Sequence, residues 1–187
     1  MNSWIFQANP QEFMIDYFLA NYASCDLDKP DWRIIEPKYK DIIIPGDVVY
    51  IWKAKSEPPK KQFREYFDWI GSIGRTEKVS GIFAIGEVIS HPKQWKGVPI
   101  EEDDCIKKYR VDKTGHQWDR FTEKNYWVFC KYNKIIVRKP LLQEVIWDKV
   151  IQSNHTDLAH FKNMRQRSSI KLESWESKVI ESLLVKG

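Results

Sequence analysis

The chain has 187 residues and a net charge of only +4, from 30 Lys and Arg against 26 Asp and Glu. The length is enough for one domain that buries its own core without disulfides or metals, and the small charge disfavours a nucleic-acid binder that depends on electrostatics alone. The chain has nine Trp, eight Tyr and nine Phe, and nine Trp are more than core-filling alone usually requires, which makes some of the tryptophans candidate ligand contacts.

The first half of the chain predicts strands on either side of an irregular segment. Residues 4–6 form an aromatic strand that an Asn-Pro pair ends, since proline lacks an N–H donor. Residues 12–22 carry aromatic side chains at helical spacing, whereas 28–37 contains two prolines and predicts irregular structure. A Pro-Gly-Asp turn then precedes a strong β-branched and aromatic strand at 48–53, and a short aromatic helix is predicted at 62–70.

The second half adds strands before two helices. A strand at 81–89 contains two glycines, which indicate close packing or a bend in a barrel. The remaining predictions are a loop at 92–104, a strand at 106–111, a long strand or hairpin at 125–137 with a turn or bulge at 133–134, and helices at 141–151 and 174–185, with a further helical turn or two at 155–162. Strands with few helices and no repeated βα unit predict an α+β fold built on a small curved sheet or barrel.

Signals for other protein classes are weak in this sequence. It has no apolar run near the roughly 18 residues of a membrane span, and Met1–Gln7 does not resemble a signal peptide. Cys25, Cys105 and Cys130 are far apart and form no CxxC, and the four His lack metal-ligand spacing. We therefore expect a cytoplasmic protein with reduced cysteines and with neither a metal nor another cofactor.

Catalytic patterns are equally unspecific. Pro30-Asp31 and Glu36-Pro37-Lys38 contain the pieces of a PD…ExK nuclease motif, but they are too close for adjacent strands and Pro37 would interrupt the second one. A Cys25 nucleophile with a histidine partner is compatible with the composition, but an isolated cysteine is more often a small buried side chain. We expect no enzymatic activity.

Four segments, taken in order, resemble one family. They are Trp4-Ile5-Phe6-Gln7-Ala8-Asn9-Pro10, Trp32-Arg33-Ile34, Pro45-Gly46-Asp47-Val48-Val49-Tyr50-Ile51-Trp52-Lys53 and Gly81-Ile82-Phe83-Ala84-Ile85-Gly86-Glu87-Val88. Together they resemble an EVE domain, of the PUA-like superfamily that also includes YTH domains, and most closely the EVE modules of modification-dependent restriction proteins. Residues 137–142 and the last helix fit the same pattern, so the resemblance covers nearly the whole chain.

The resemblance implies a single PUA-like domain over residues 1–187, with a small β-barrel, flanking helices and an insertion at about 54–80. It implies that a methylated or otherwise modified base is flipped out of double-stranded DNA into an aromatic pocket. Recognition would then serve a restriction or defence system through a nuclease or NTPase effector elsewhere in a longer polypeptide or in a partner. The aromatic insertion either packs on the barrel, contacts DNA or binds a partner, and packing is the preferred interpretation.

The family pattern also suggests which aromatic residues line the pocket. Trp32 matches a cage tryptophan of EVE and YTH domains, with a loop Trp that caps the barrel as the alternative. Trp95 resembles a second cage tryptophan of YTH domains. By strand alternation, Val48, Tyr50 and Trp52 share one face of their strand, so Trp52 is either a pocket wall or a core residue. Trp4, Trp127, Trp147 and Trp175 lie in periodic segments and are predicted to be core.

Polar and basic candidates complete the predicted site. Asn9 either hydrogen-bonds the base edge, as the family's Asn-Pro suggests, or satisfies its own turn. Gln166 stands where many EVE domains carry a Gln-Gly-Thr/Ser-Asn segment, here replaced by Gln-Arg-Ser-Ser. Lys53, Arg165 and Arg167 are the predicted phosphate contacts, although charged runs are usually solvated faces.

Two alternatives to modified DNA stay open. One keeps the fold but changes the ligand to modified RNA or a free modified nucleotide. The other is a protein-interaction module in which the pocket is closed.

Overall fold

The computed structural model describes residues 1–22, 31–56, 58, 63–75, 78–94, 109, 111, 126–153 and 169–185, and for 31–34 it describes the backbone. These residues form eight strands and four α-helices. In chain order the elements are β1 (Ser3–Ala8), α1 (Ile15–Ala20), β2 (Asp31–Ile35), a 3-10 turn (Pro37–Tyr39), β3 (Val48–Lys53), α2 (Arg64–Ser72), β4 (Gly81–Val88), β5 (Lys93–Gln94), β6 (Tyr126–Ile135), β7 (Leu141–Leu142), α3 (Gln143–Gln152), β8 (Ser169–Leu172) and α4 (Ser174–Leu184).

The strands form one mixed, curled sheet. Its order is β2-β6-β4-β3-β1-β8, with β5 paired to β6 and β7 paired to β4. β1 and β3 are parallel, and the other pairs are antiparallel. The backbone N–H of Glu36, just after β2, donates to Ser169 Oγ of β8 at 3.2 Å. The sheet therefore curls far enough to bring its two edge strands together as a half-barrel, which confirms the predicted α+β class.

Both faces of the central strand β3 are buried, and the alternation of its side chains separates them as predicted. Val49 and Ile51 pack into a first core cluster with Trp4 of β1. Tyr50 and Trp52 pack into a second cluster, where α3 and α4 cover the other face. Burying a large apolar side chain stabilises the fold by about 1.5–3 kcal/mol. The absence of a polar face on β3 thus reflects its position in the middle of the sheet, where other elements cover both sides.

A bulge where β4 meets β6 bends the sheet. The register passes from Ile85 opposite Lys134 to Gly86 opposite Tyr132, so Asn133 has no partner across the pair. A Cβ at Gly86 would collide with the carbonyl oxygen of Lys131, so a glycine is needed for the two backbones to approach this closely. The predicted bulge and close approach are confirmed, and β6 is one continuous strand rather than a hairpin.

Several predicted boundaries differ from the observed ones. Residues 31–35, predicted to be irregular, form strand β2, because the prolines at 30 and 37 flank this segment and leave its N–H groups free to pair with β6. The helix predicted from 141 begins at 143, since Leu141–Leu142 pair with β4 as β7. The helix predicted at 12–22 is shorter, at 15–20. The segment at 155–162 and most of the strand predicted at 106–111 lie outside the described residues.

The last helix matches its prediction closely. α4 begins after Glu173, whose backbone N–H donates to the side chain of Glu176 at 2.7 Å in a reciprocal capping box. Val179 and Ile180 are buried against the sheet in the second core cluster. None of the helices that the structure describes is long and apolar enough to span a bilayer.

Candidate functional site

Asn9 follows β1 and organises the turn that leads into α1. Its Oδ1 accepts a hydrogen bond from the backbone N–H of Gln11 at 3.1 Å and one from Ser56 Oγ at 2.8 Å. Its backbone carbonyl accepts the N–H groups of Glu12 and Phe13, both at 2.9 Å. The turn role considered for Asn9 is therefore present, and Ser56 ties the end of β1 to the chain that leaves β3.

The same contacts orient the Asn9 amide. A backbone N–H can only donate, so the atom facing Gln11 is the oxygen, and Nδ2 faces the other way. Nδ2 makes no hydrogen bond to any described residue, and the side chain is half-buried. Asn9 can therefore hold its turn with Oδ1 and still offer an oriented N–H donor to a ligand, which makes its two proposed roles compatible.

Trp52 and Lys53 are both buried. Trp52 is 0% exposed and packs in the second core cluster, so of its two possible roles, pocket wall and core residue, the structure shows the core role. A base cannot stack on a side chain that is fully buried. Lys53 is also 0% exposed. Its ammonium donates to the carbonyl of Val79 at 3.0 Å and lies 3.9 Å from Asp16 Oδ2. The prediction of Lys53 as a phosphate contact is corrected, because a fully buried ammonium is inaccessible to a phosphate.

Lys53 belongs to a buried charge cluster, which we define as Asp16, Lys53, Tyr66 and Arg75. Arg75 Nη2 donates to Asp16 Oδ2 at 2.7 Å, and Tyr66 Oη donates to the same oxygen at 3.2 Å. Arg75 Nη1 also reaches the carbonyl of Val137 at 2.7 Å. Tyr66 and Arg75 come from the segment at 54–80, so the cluster fastens α2 to the barrel. This supports packing as a role of the aromatic segment.

Asp47, in the Gly-Asp part of the family pattern, has a structural role. It is 0% exposed, and its Oδ2 accepts the indole N–H of Trp4 at 2.9 Å and the backbone N–H of Ile44 at 3.2 Å. Its Oδ1 accepts the backbone N–H of Asn2 at 2.7 Å. The side-chain amide of Asn2 also donates to Oδ2 at 3.3 Å, so one carboxylate accepts from four donors where β1 and β3 begin. Trp4 is core as predicted.

Glu36 and Lys38, the two charged residues of the ExK half of the nuclease-like pattern, form a local ion pair. Glu36 Oε2 lies 2.6 Å from Lys38 Nζ, and this hydrogen bond raises the pKa of Lys38 above its usual value. No group of three or more metal-binding side chains exists among the residues that the structure describes. Cys130, the one cysteine that the structure describes, forms no disulfide and is buried in the first core cluster.

For the remaining predicted site residues, the structure describes only the backbone of Trp32 and nothing of the others. The backbone of Trp32 lies in β2 opposite Phe129, and its side chain is outside the described part. Trp95, Arg165, Gln166 and Arg167 also lie outside it. What is described is the neighbouring structure: Trp95 directly follows β5 in sequence, and residues 165–167 precede β8, which pairs with Ser3–Phe6 of β1.

One aromatic pair was missed by the sequence reasoning. Trp127, predicted to be core, lies half-buried on β6 outside the core clusters of the described chain, and its ring centroid is 4.8 Å from that of Phe129. Lys93 Nζ lies 5.1 Å from the Trp127 centroid and 5.9 Å from that of Phe129. Strand alternation already places Trp127 and Phe129 on the face opposite Val128 and Cys130. Alternation alone does not show which of the two faces is covered by other elements.

Comparison with solved structures identifies the fold. Human THYN1 in complex with DNA containing 5-methylcytosine matches over 98% of this chain and 97% of that chain, with a TM-score of 0.56 and 8% identity. The DUF55 domain of human thymocyte nuclear protein 1 matches with a TM-score of 0.55 and 10% identity, covering 97% of each chain. A Pseudomonas putida protein matches with 0.54 and 11%, covering 97% of this chain and 98% of its own.

Sequence comparison adds no closer relative, since no protein-family model and no curated protein sequence matches the chain. Identities of 8–11% show a shared fold and nothing finer. The curled mixed sheet with its flanking helices is therefore the α+β, PUA-like barrel that the resemblance to EVE domains predicts.

Proposed function

We propose that this chain is a non-catalytic reader of a modified base in double-stranded DNA. The observation that carries the proposal is the match along almost the whole length of both chains to human THYN1, which was solved with DNA containing 5-methylcytosine. Asn9 adds support from this chain itself, because its turn leaves one oriented amide donor for a ligand.

The proposed mechanism extrudes the modified base into a pocket walled by Trp32 and Trp95. Extrusion costs a few kcal/mol, and stacking on an aromatic wall returns about 1–3 kcal/mol per base. A buried methyl group adds about 0.8 kcal/mol. Asn9 Nδ2 donates to an acceptor on the base edge, and Gln166 reads a second polar group. Stacking and hydrogen bonding together offset the free-energy cost of extrusion, and burial of the methyl group makes binding more favourable for the modified base than for the unmodified one.

Other residues hold the duplex and support the pocket. Arg165 and Arg167 flank Gln166 in sequence and contact phosphates, which position the DNA without reading its sequence. Trp52 is a core residue rather than a pocket wall, because it is fully buried in the second core cluster. Cleavage or translocation belongs to a nuclease or NTPase effector in a restriction or defence system, to which this module passes recognition.

A binding panel tests the proposal. Duplexes of one sequence would carry cytosine, 5-methylcytosine, 5-hydroxymethylcytosine or N6-methyladenine at one position, next to a single-stranded RNA with the same modification. We expect one modified duplex to bind at least several-fold more tightly than the unmodified duplex. Equal affinity for all duplexes, or a preference for the RNA, would refute the proposal. Extrusion would appear separately as increased fluorescence of 2-aminopurine placed opposite or beside the modified base.

A further inference from the structure

One face of β6 carries an aromatic pair that belongs to none of the core clusters of the described residues. Val128 and Cys130 are 0% exposed and point into the first core cluster, whereas Trp127 and Phe129 alternate with them and are half-buried on the opposite face. Their ring centroids are 4.8 Å apart at an interplanar angle of 69°. This edge-to-face arrangement forms a fixed aromatic surface on this face of the sheet.

An exposed lysine lies across this surface. Lys93 of β5 pairs in register with Trp127, and its ammonium sits within 6 Å of both ring centroids, the range of a cation–π contact. Lys131, the next outward residue of β6, is also exposed. Neither lysine forms an ion pair with a residue that the structure describes. The nearby acidic group is Glu87, which is half-buried and pairs in register with Lys131.

We propose that Trp127, Phe129 and Lys93 form a stacking platform for an unpaired nucleotide. In the free protein the Lys93 ammonium covers the aromatic surface. On binding, the base takes its place on the Trp127 ring, and the flexible lysine moves outward to the phosphate of the same nucleotide. A nucleotide supplies both the π face and the anion that this combination of groups recognises.

The position of the platform links it to the modified-base site, so this inference rests on the proposed function. Trp32 of β2 lies opposite Phe129 in register, and Trp95 directly follows β5, whose Gln94 pairs with Tyr126. The platform therefore lies between the two strands that carry or precede the predicted pocket walls. Extruding one base leaves a neighbouring or opposite base unstacked, and the platform holds that second base.

The test uses a short unmodified single-stranded DNA, which needs no modified-base pocket. Its affinity is measured by fluorescence anisotropy at several salt concentrations for the wild type, Trp127→Leu and Lys93→Gln. We expect Trp127→Leu to weaken binding by about 5- to 150-fold, the range that loss of one base–aromatic stack produces. Lys93→Gln should reduce the slope of log K against log salt by about 0.7, as loss of one phosphate contact to a single strand does. Lys178→Gln, on an exposed position of α4, is the matched control and should bind like the wild type.

Unchanged affinity and salt slope in both platform variants would overturn the proposal, and the face would then be assigned to a protein contact. If Trp127→Leu fails to fold by circular dichroism, Phe129→Leu and Lys93→Gln decide the question. Because the probe is unmodified and single-stranded, failure here is separate from failure of the modified-duplex panel.

Discussion

Replacing Asp16 with Asn tests whether the buried charge cluster holds the 54–80 segment on the barrel. Asp16 is 0% exposed and is the acceptor for Arg75 at 2.7 Å and Tyr66 at 3.2 Å, with Lys53 at 3.9 Å. At an effective dielectric constant of 20, unit charges at 2.7 and 3.9 Å attract by about 6 and 4 kcal/mol before desolvation is subtracted. Asparagine keeps the shape and an acceptor oxygen but leaves two buried cations facing a neutral group.

We expect Asp16→Asn to lower the free energy of unfolding by about 3–5 kcal/mol, the cost of removing one partner from a buried ion pair. Since a domain of this kind is stable by about 5–15 kcal/mol in total, the midpoint of urea denaturation should fall markedly. Asp68→Asn is the matched control. Asp68 pairs with Arg64 at 3.8 Å, but both side chains are more than two-thirds exposed, so the expected change is close to nothing.

A double-mutant cycle separates the ion pair from general packing loss. Arg75→Met removes the closest cation while keeping an apolar side chain between Trp69 and Phe83, whose ring centroids lie 5.4 and 4.8 Å from the guanidinium carbon. The double variant with Asp16→Asn should be less destabilised than the sum of the single variants, with a coupling of about 1–3 kcal/mol. Additive effects, or a loss below about 1 kcal/mol for Asp16→Asn alone, would refute the reasoning.

Three further predictions concern the core and the turn. Trp52→Ala should lower the free energy of unfolding by about 3–5 kcal/mol, because Trp52 is fully buried, and a fully stable variant would contradict its core assignment. Burial, with the nearby Glu181 carboxylate, raises the pKa of Tyr50 to about 12. The unfolded phenol ionises first, near pH 10, so stability should be full below pH 10 and fall by about 2 kcal/mol as the pH rises to 12. Tyr50→Phe should reduce that loss in denaturation measured at pH 9 and 12, and an unchanged loss would disprove the assignment. Asn9→Asp keeps the oxygens that accept from Gln11 and Ser56 but removes the amide donor. It should fold normally and lose discrimination between modified and unmodified duplex, whereas equal discrimination by this variant and the wild type would exclude Asn9 from base reading.

Local chemistry determined much of this fold from the sequence alone. The β-branched and aromatic run at 48–53 predicts a strong strand, and this strand lies between two core clusters. The glycine at 86 predicted a close approach that the bulge at Asn133 explains. The helix at 174–184 followed from the spacing of its apolar residues. Each of these signals is carried by neighbours within one element, where the periodicity of side chains decides burial.

Only the tertiary structure decided which side chains face a partner and which are enclosed. Trp52 and Trp127 both lie in alternating strands, yet α3 and α4 cover the face of Trp52, while Trp127 lies outside the core clusters of the described chain. Lys53 looked like a surface cation until the fold placed it beside Asp16, a residue 37 positions earlier. A sequence states the periodicity of a strand, but the covering of each face and the pairing of distant charges depend on how the elements pack against one another.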